Sequence, residues 1–186
     1  MSRPRIYLAG PDVFFDTALA VAAEKKAICA KFGMEGVFPL DAELKLEALD
    51  RKKAGLTIGA ANIGLMVSCD AVIANLQPWH GPSADVGTAF ELGFMFARGK
   101  PAFAYTNSEE IFQERVQDFL QSDYARANQP GNSAFPRPGY PVYTDEAFGL
   151  RENLMIDTAL LPFAGDMLRS FEDAAAHAAA WFHGQK

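Results

Sequence analysis

Short apolar runs alternate with stretches of helical period along this chain, and that alternation leaves few folds open. Arg5-Ile-Tyr-Leu-Ala9 reads as a strand stopped by Gly10-Pro11. Residues 16–32 read as an amphipathic helix in which Ala18, Val21, Ala22, Lys25, Ile28, Cys29 and Phe32 keep the helical period, with Gly33 as the C-cap. A second strand at Val37-Phe38 ends in the turn Pro39-Leu-Asp41. Residues 47–68 follow as a helix whose glycines and alanines invite close packing. Ala71-Val-Ile-Ala-Asn75 is a third strand, 76–84 a loop, 85–98 a helix capped by Gly99, and 101–105 a fourth strand. The order βαβαβαβ demands a parallel sheet covered on both faces, with right-handed crossovers.

After the fourth strand the rhythm breaks. Ser108-Glu-Glu-Ile111 opens a polar helix to residue 123, and residues 124–149 hold four of the 11 prolines. A loop of that length is functional or mobile, so 106–149 is read as an irregular arm or flap insertion. Residues 152–158 resume as a helix, a short fifth strand is expected near 160–163, and 170–182 close as an Ala-rich helix. The expectation is α/β: a doubly wound, parallel five-stranded sheet with helices on both faces, in one domain over 1–186.

Charge and composition narrow the function. With 17 basic and 23 acidic residues the net charge is −6, and no basic run is present. That is a poor footing for a polynucleotide, so no nucleic-acid partner is expected. Cys29 and Cys69 lack metal-ligand spacing and read as buried, reduced thiols. The three histidines are scattered, so no protein-built metal site is expected. The longest uncharged run, 54–69, is cut by Gly55, Gly59, Asn62 and Gly64 and falls short of a membrane span. The first apolar stretch is too short for a signal peptide. A cytoplasmic protein without a membrane partner is expected.

Open parallel sheets bind ligands outside the carboxyl ends of their strands. Gly10 and Phe14 lie after the first strand and Asp41 after the second, which makes them substrate-binding candidates. The third loop feeds Asp85-Val-Gly-Thr-Ala-Phe-Glu-Leu-Gly-Phe-Met-Phe-Ala97, where Glu91 is the one charge after Asp85. Its helical neighbours are Gly87, Thr88, Phe94 and Met95, none of them a cation. A buried glutamate there must be hydrogen-bonded, have a raised pKa, or face a ligand cavity. Asp85 reads as a helix N-cap that also faces the cleft. Glu91 leans back toward the helix start, so both carboxylates can reach one pocket, an arrangement suited to glycosyl chemistry. Tyr7 is either core or a hydrogen-bond partner of that carboxylate. Phe14 and Phe15 either pack or stack on a base; Trp79 and His80 receive no role. No Gly-x-Gly-x-x-Gly follows the first strand and no Gly-Lys-Ser/Thr is present, which removes dinucleotide and P-loop readings.

Ile6-Tyr-Leu-Ala-Gly-Pro-Asp-Val-Phe14, Cys69-Asp-Ala-Val-Ile-Ala-Asn75, Asp85-Val-Gly-Thr-Ala-Phe-Glu-Leu-Gly93 and Asn153-Leu-Met155 together resemble the nucleoside 2-deoxyribosyltransferase family, in the branch that includes the trypanosomatid enzymes. The resemblance covers 5–105 and 148–182 and leaves out 107–147. It implies a flavodoxin-like fold and exchange of the base on a 2'-deoxynucleoside, leaning to purines, with retention at C1'. It also implies Glu91 as nucleophile, Tyr7 as its orienting partner and Asp85 as the ligand of sugar hydroxyls. Asn153 would reach the neighbouring subunit's site, which makes the protein a homo-oligomer, dimer or hexamer, with no cofactor. Asn62 stands where some members have an aspartate proposed to protonate the leaving base. Asn62 is no acid, so that proton would come from water, Asp41, Glu43 or elsewhere. An N-glycoside hydrolase acting on a nucleoside or its 5'-monophosphate, and a non-catalytic nucleoside-sensing domain, are the alternatives. A 5'-phosphate would find only Ser83 and Arg151 near the strand ends.

Overall fold

The computed structural model describes residues 2–42, 44–122 and 147–184. Strands β1 (Arg5–Ala9), β2 (Glu35–Val37), β3 (Ala71–Asn75) and β4 (Ala102–Tyr105) pair in parallel in the order β2-β1-β3-β4. Tyr7 is in register with Val37 on one side and Val72 on the other, and Asn75 with Tyr105.

Alternation along each strand divides the apolar residues between two cores. Ile6, Leu8, Ile73 and Phe103 point to the layer of α1 (Ala18–Lys31) and the last helix, α6 (Phe171–Gly184). Tyr7, Ala9, Val72, Ala74, Ala102 and Ala104 point to the other layer, built on α3 (Val86–Ala97) and α5 (Leu154–Leu160). Every residue of β3 is buried, as a central strand covered on both faces requires. Two helix ends explain the chain reversals. Gly33 (φ +76°) and Gly99 (φ +69°) adopt the left-handed conformation, and the amides of Met34 and Lys100 return to the carbonyls of Cys29 and Met95.

Helix α2 (Arg51–Val67) starts on an Asp50 N-cap bonded to the Lys53 amide, and of its side chains only Met66 is buried. Its start at Arg51 lies later than the expected residue 47. Helix α4 (Phe112–Gln121) is likewise shorter than the polar stretch suggested. The remainder of the expected arm, 123–146, lies outside the described residues.

The sheet has four strands among the described residues, not five. Leu160 ends α5, and the following residues turn instead of extending. Pro162 has no N–H to give a ladder, and Gly165 takes φ +76°. The place beside β4 is held by a single parallel bridge between Tyr105 and Leu168. The Leu168 amide donates to Ala104 O at 2.9 Å, and the Thr106 amide donates to Leu168 O at 3.0 Å. Among the described residues no helix is long and apolar enough to cross a membrane.

Candidate active site

The site lies at the carboxyl end of β1 and β3, where the strand order reverses. Tyr7 sits mid-strand with no exposed surface, and its hydroxyl donates to Glu91 Oε1 at 2.6 Å. Glu91 stands on α3 among the buried Thr88, Leu92 and Met95 and is itself half-buried. Burial raises its pKa from 4.5 to about 7; the Tyr7 hydrogen bond opposes the rise and the Asp85 charge adds to it. Burial, then the Glu91 charge, drives the Tyr7 phenol well above its ordinary range, so Tyr7 acts as a donor.

Asp85 caps α3. Its Oδ2 accepts from the Thr88 amide at 2.8 Å and from Thr88 Oγ1 at 3.0 Å. A Cβ at Gly87 would lie 3.0 Å from that oxygen, so the glycine leaves the cap its room. Gly10 is required by space too. A Cβ there would sit 2.5 Å from Asp12 Oδ2 and 2.8 Å from Asn75 Cβ. That crowding comes from a buried ion pair, Asp12 to Lys25 at 2.6 Å, to which the Asn75 amide also donates.

An aromatic group borders the two loops. Phe14 stacks on Trp79 with centroids 5.9 Å apart and planes at 21°, and Phe15 meets Trp79 edge-on at 5.5 Å. His80, beside Trp79, has φ +54°, uncommon for a residue with a Cβ. Phe14 remains 66% exposed, so much of its ring surface is open to a ligand.

The structure joins Tyr7 to Glu91 by a hydrogen bond and places Asp85 near enough for its charge to act on Glu91. The other substrate-binding candidates stand in separate settings. Asp41 accepts from the Phe38 amide and pairs with Lys26. Asn62, on α2, keeps a buried Oδ1 without a hydrogen-bond partner among the described residues. Asn153 caps α5, its Oδ1 accepting from the Met155 amide at 3.0 Å. Glu43 lies outside the described residues. Ser83 and Arg151, considered for a phosphate, are engaged with Glu152 and with Ser108 O.

Sequence reasoning missed two buried charged residues behind the third loop, Glu152 and Arg115, joined at 2.8 Å. They lie 37 positions apart, and no short-range pattern links them. Among the described residues no group of three or more His, Cys, Asp or Glu is arranged to hold a metal ion. A cavity of about 340 Å³ lined by Arg3, Phe32, Met34, Phe182 and His183 opens at the amino end of β1, away from Glu91.

The model of the family described as nucleoside 2-deoxyribosyltransferase matches residues 6–155. A 2-deoxyribosyltransferase from Leishmania mexicana superimposes with a TM-score of 0.66 at 28% identity, covering 95% of this chain and 97% of that one. A conserved protein from Enterococcus faecalis shares the fold, with a TM-score of 0.56 at 22% identity over 99% of both chains. An uncharacterized protein of Schizosaccharomyces pombe is 35% identical over 129 residues, 68% of this chain; the match spans 61% of that protein's length.

Proposed function

The chain belongs to the nucleoside 2-deoxyribosyltransferase family, and from that premise we propose that it exchanges the base of 2'-deoxynucleosides through a covalent deoxyribosyl–Glu91 ester. The observation that carries the reading is the 2.6 Å hydrogen bond from the buried Tyr7 hydroxyl to Glu91 Oε1. Tyr7 holds one carboxylate oxygen and presents the other to C1'. That oxygen bonds to C1' as the C1'–N bond breaks, and the bonding pair leaves with the base, which takes a proton. An incoming base then attacks C1' and gives its N–H proton to water, the ester C–O bond breaks, and Glu91 is again a carboxylate. Two displacements restore the configuration at C1', and the kinetics are ping-pong.

Asp85 binds the deoxyribose hydroxyls in this proposal. Both Thr88 bonds fall on its Oδ2, and Oδ1 is offered to the sugar. Phe14, backed by Trp79, stacks on the base through its open ring face, a contact from which a purine gains more because it offers the larger π surface. Gly10 shapes the floor by letting the β1 loop approach Asn75. Asn62 has no proton to give, and Asp41 is held by Lys26 and the Phe38 amide, so protonation of the leaving base is assigned to water.

We further propose a homo-oligomer of single-domain chains in which Asn153 reaches the neighbouring site. The support is apolar surface left exposed on elements around the site: Val86 (84%) and Phe90 (57%) on α3, and Met155 (69%) beside Asn153 on α5. Sedimentation of the full chain at micromolar concentration should give a dimer or larger; a monomer overturns this part.

The decisive test incubates the protein with deoxyinosine, with and without adenine. Deoxyadenosine formed when adenine is present is the expected result. Free deoxyribose without transfer indicates a hydrolase, and no product indicates a binding domain. Glu91→Ala should lower turnover at least about 10³-fold while the chain stays folded. Retained turnover refutes the nucleophile.

A further inference from the structure

Behind the loop that carries Asp85 lies a buried charged network to which the transfer chemistry gives no task. Glu152 is 1% exposed and Arg115 6%. Glu152 Oε1 accepts from Ser83 Oγ at 2.9 Å and from the Ala84 amide. Its Oε2 accepts from Arg115 Nη2 at 2.8 Å. Arg115 turns its other N–H groups to carbonyls: Nε to Pro82 O at 2.8 Å, Nη1 to Glu110 O at 2.9 Å, and Nη2 also to Arg151 O at 2.8 Å. The three consecutive residues before Asp85 are thus each bonded to one guanidinium–carboxylate pair. The Glu152 amide in turn donates to Asp157 Oδ2 at 2.8 Å, and the next residue, Asn153, caps α5.

A buried ion pair adds little stability over apolar packing of the same volume, so its directional bonds are the property to explain. A fork of fixed N–H directions and a two-oxygen acceptor hold backbone far more narrowly than apolar contacts do. The held segment leads straight into the helix start that bears Asp85, where small misplacements weaken a sugar contact.

We propose that Glu152 and Arg115 are positioning residues of the transfer site, setting through Pro82, Ser83 and Ala84 where the Asp85 carboxylate meets the sugar. The inference rests on the assignment of Asp85 to deoxyribose binding. A loosened Asp85 weakens substrate in the ground state and the transition state alike, while the Tyr7–Glu91 pair is untouched. The effect therefore falls on KM.

The test compares Ser83→Ala, Ser83→Thr and Glu152→Gln with the wild type and with Asp85→Asn, using deoxyinosine as donor and saturating adenine. Ser83→Ala leaves the buried ion pair intact, so it carries the test even if Glu152→Gln does not fold. Ser83→Ala and Glu152→Gln should raise KM about three- to tenfold with kcat changed less. Ser83→Thr keeps a hydroxyl and should stay close to the wild type. A purely structural role would lower kcat in proportion to the folded fraction and leave KM alone, and that result overturns the proposal. If Asp85→Asn raises KM and Ser83→Ala does not, the positioning role alone falls. If Asp85→Asn leaves KM unchanged, the sugar-binding assignment falls and takes the inference with it. Absence of transfer by the wild type refutes the parent reading before any variant is compared.

Discussion

Glu152 is buried and Glu91 half-buried, and burial raises the pKa of both. Their surroundings differ in kind. Glu152 has a guanidinium, a hydroxyl and a backbone N–H on its two oxygens. Glu91 has one phenol, an acidic neighbour in Asp85, and no cationic partner among the described residues. A carboxylate with both oxygens bonded to fixed donors holds structure. One with a single donor and a raised pKa keeps an oxygen for an electrophilic carbon, and pays for it in desolvation.

The comparison breaks most severely if the cation is removed from Glu152. Arg115→Met leaves a buried carboxylate without its charge partner and the Pro82, Glu110 and Arg151 carbonyls without their donor. Urea denaturation should show a loss of about 3–5 kcal/mol. The double variant Arg115→Met/Glu152→Met should recover the part owed to the orphaned charge and not the rest, because the three carbonyls, the Ser83 hydroxyl and the Ala84 amide stay without partners. A single-variant loss below about 1 kcal/mol would mean that Glu152 is as lightly held as Glu91.

How much of this was legible in the sequence follows from the range of each signal. β1, β3 and α3 were readable almost to the residue, because burial on both faces and Gly caps leave local marks at Ala71–Asn75 and Gly99. The fifth strand failed because Leu160 and Phe163 are apolar without being extended. The edge needed one bridging residue, Leu168, whose place is set by β4 and not by its neighbours in sequence. Glu91 stood out as a lone charge in an apolar helix, so its isolation was visible in sequence, as was a reason to suspect Tyr7. Lys25 was visible as a charge on a buried stripe, but its partner Asp12 and the flanking Tyr105 and Phe171 rings come from other elements. Arg115 and Glu152 were hidden for the same reason. Each sits in an ordinary polar segment, and only the fold brings them together.

A smaller effect sharpens the comparison from the Glu91 side. Its folded pKa of about 7 lies above the ordinary 4.5, so the folded state binds that proton more tightly than the unfolded chain. Below about pH 4.5 the residue is protonated in both states and costs nothing. Between there and about pH 7 the unfolded chain ionises first, so stability falls as pH rises. Above that window the penalty is complete, at most about 3 kcal/mol. Glu91→Gln keeps an oxygen for the Tyr7 hydroxyl and removes the titration. Its stability relative to the wild type should therefore climb across that window and level off beyond it, in urea melts at about pH 4.5, 6 and 8. Glu152→Gln should show a gain of the same sign, because burial raises that carboxylate too, but set on a net loss at every pH from the donors and guanidinium that the amide serves less well. A flat Glu91→Gln difference across the window would mean that the carboxylate is well solvated, and the contrast between the two glutamates would lose its physical basis.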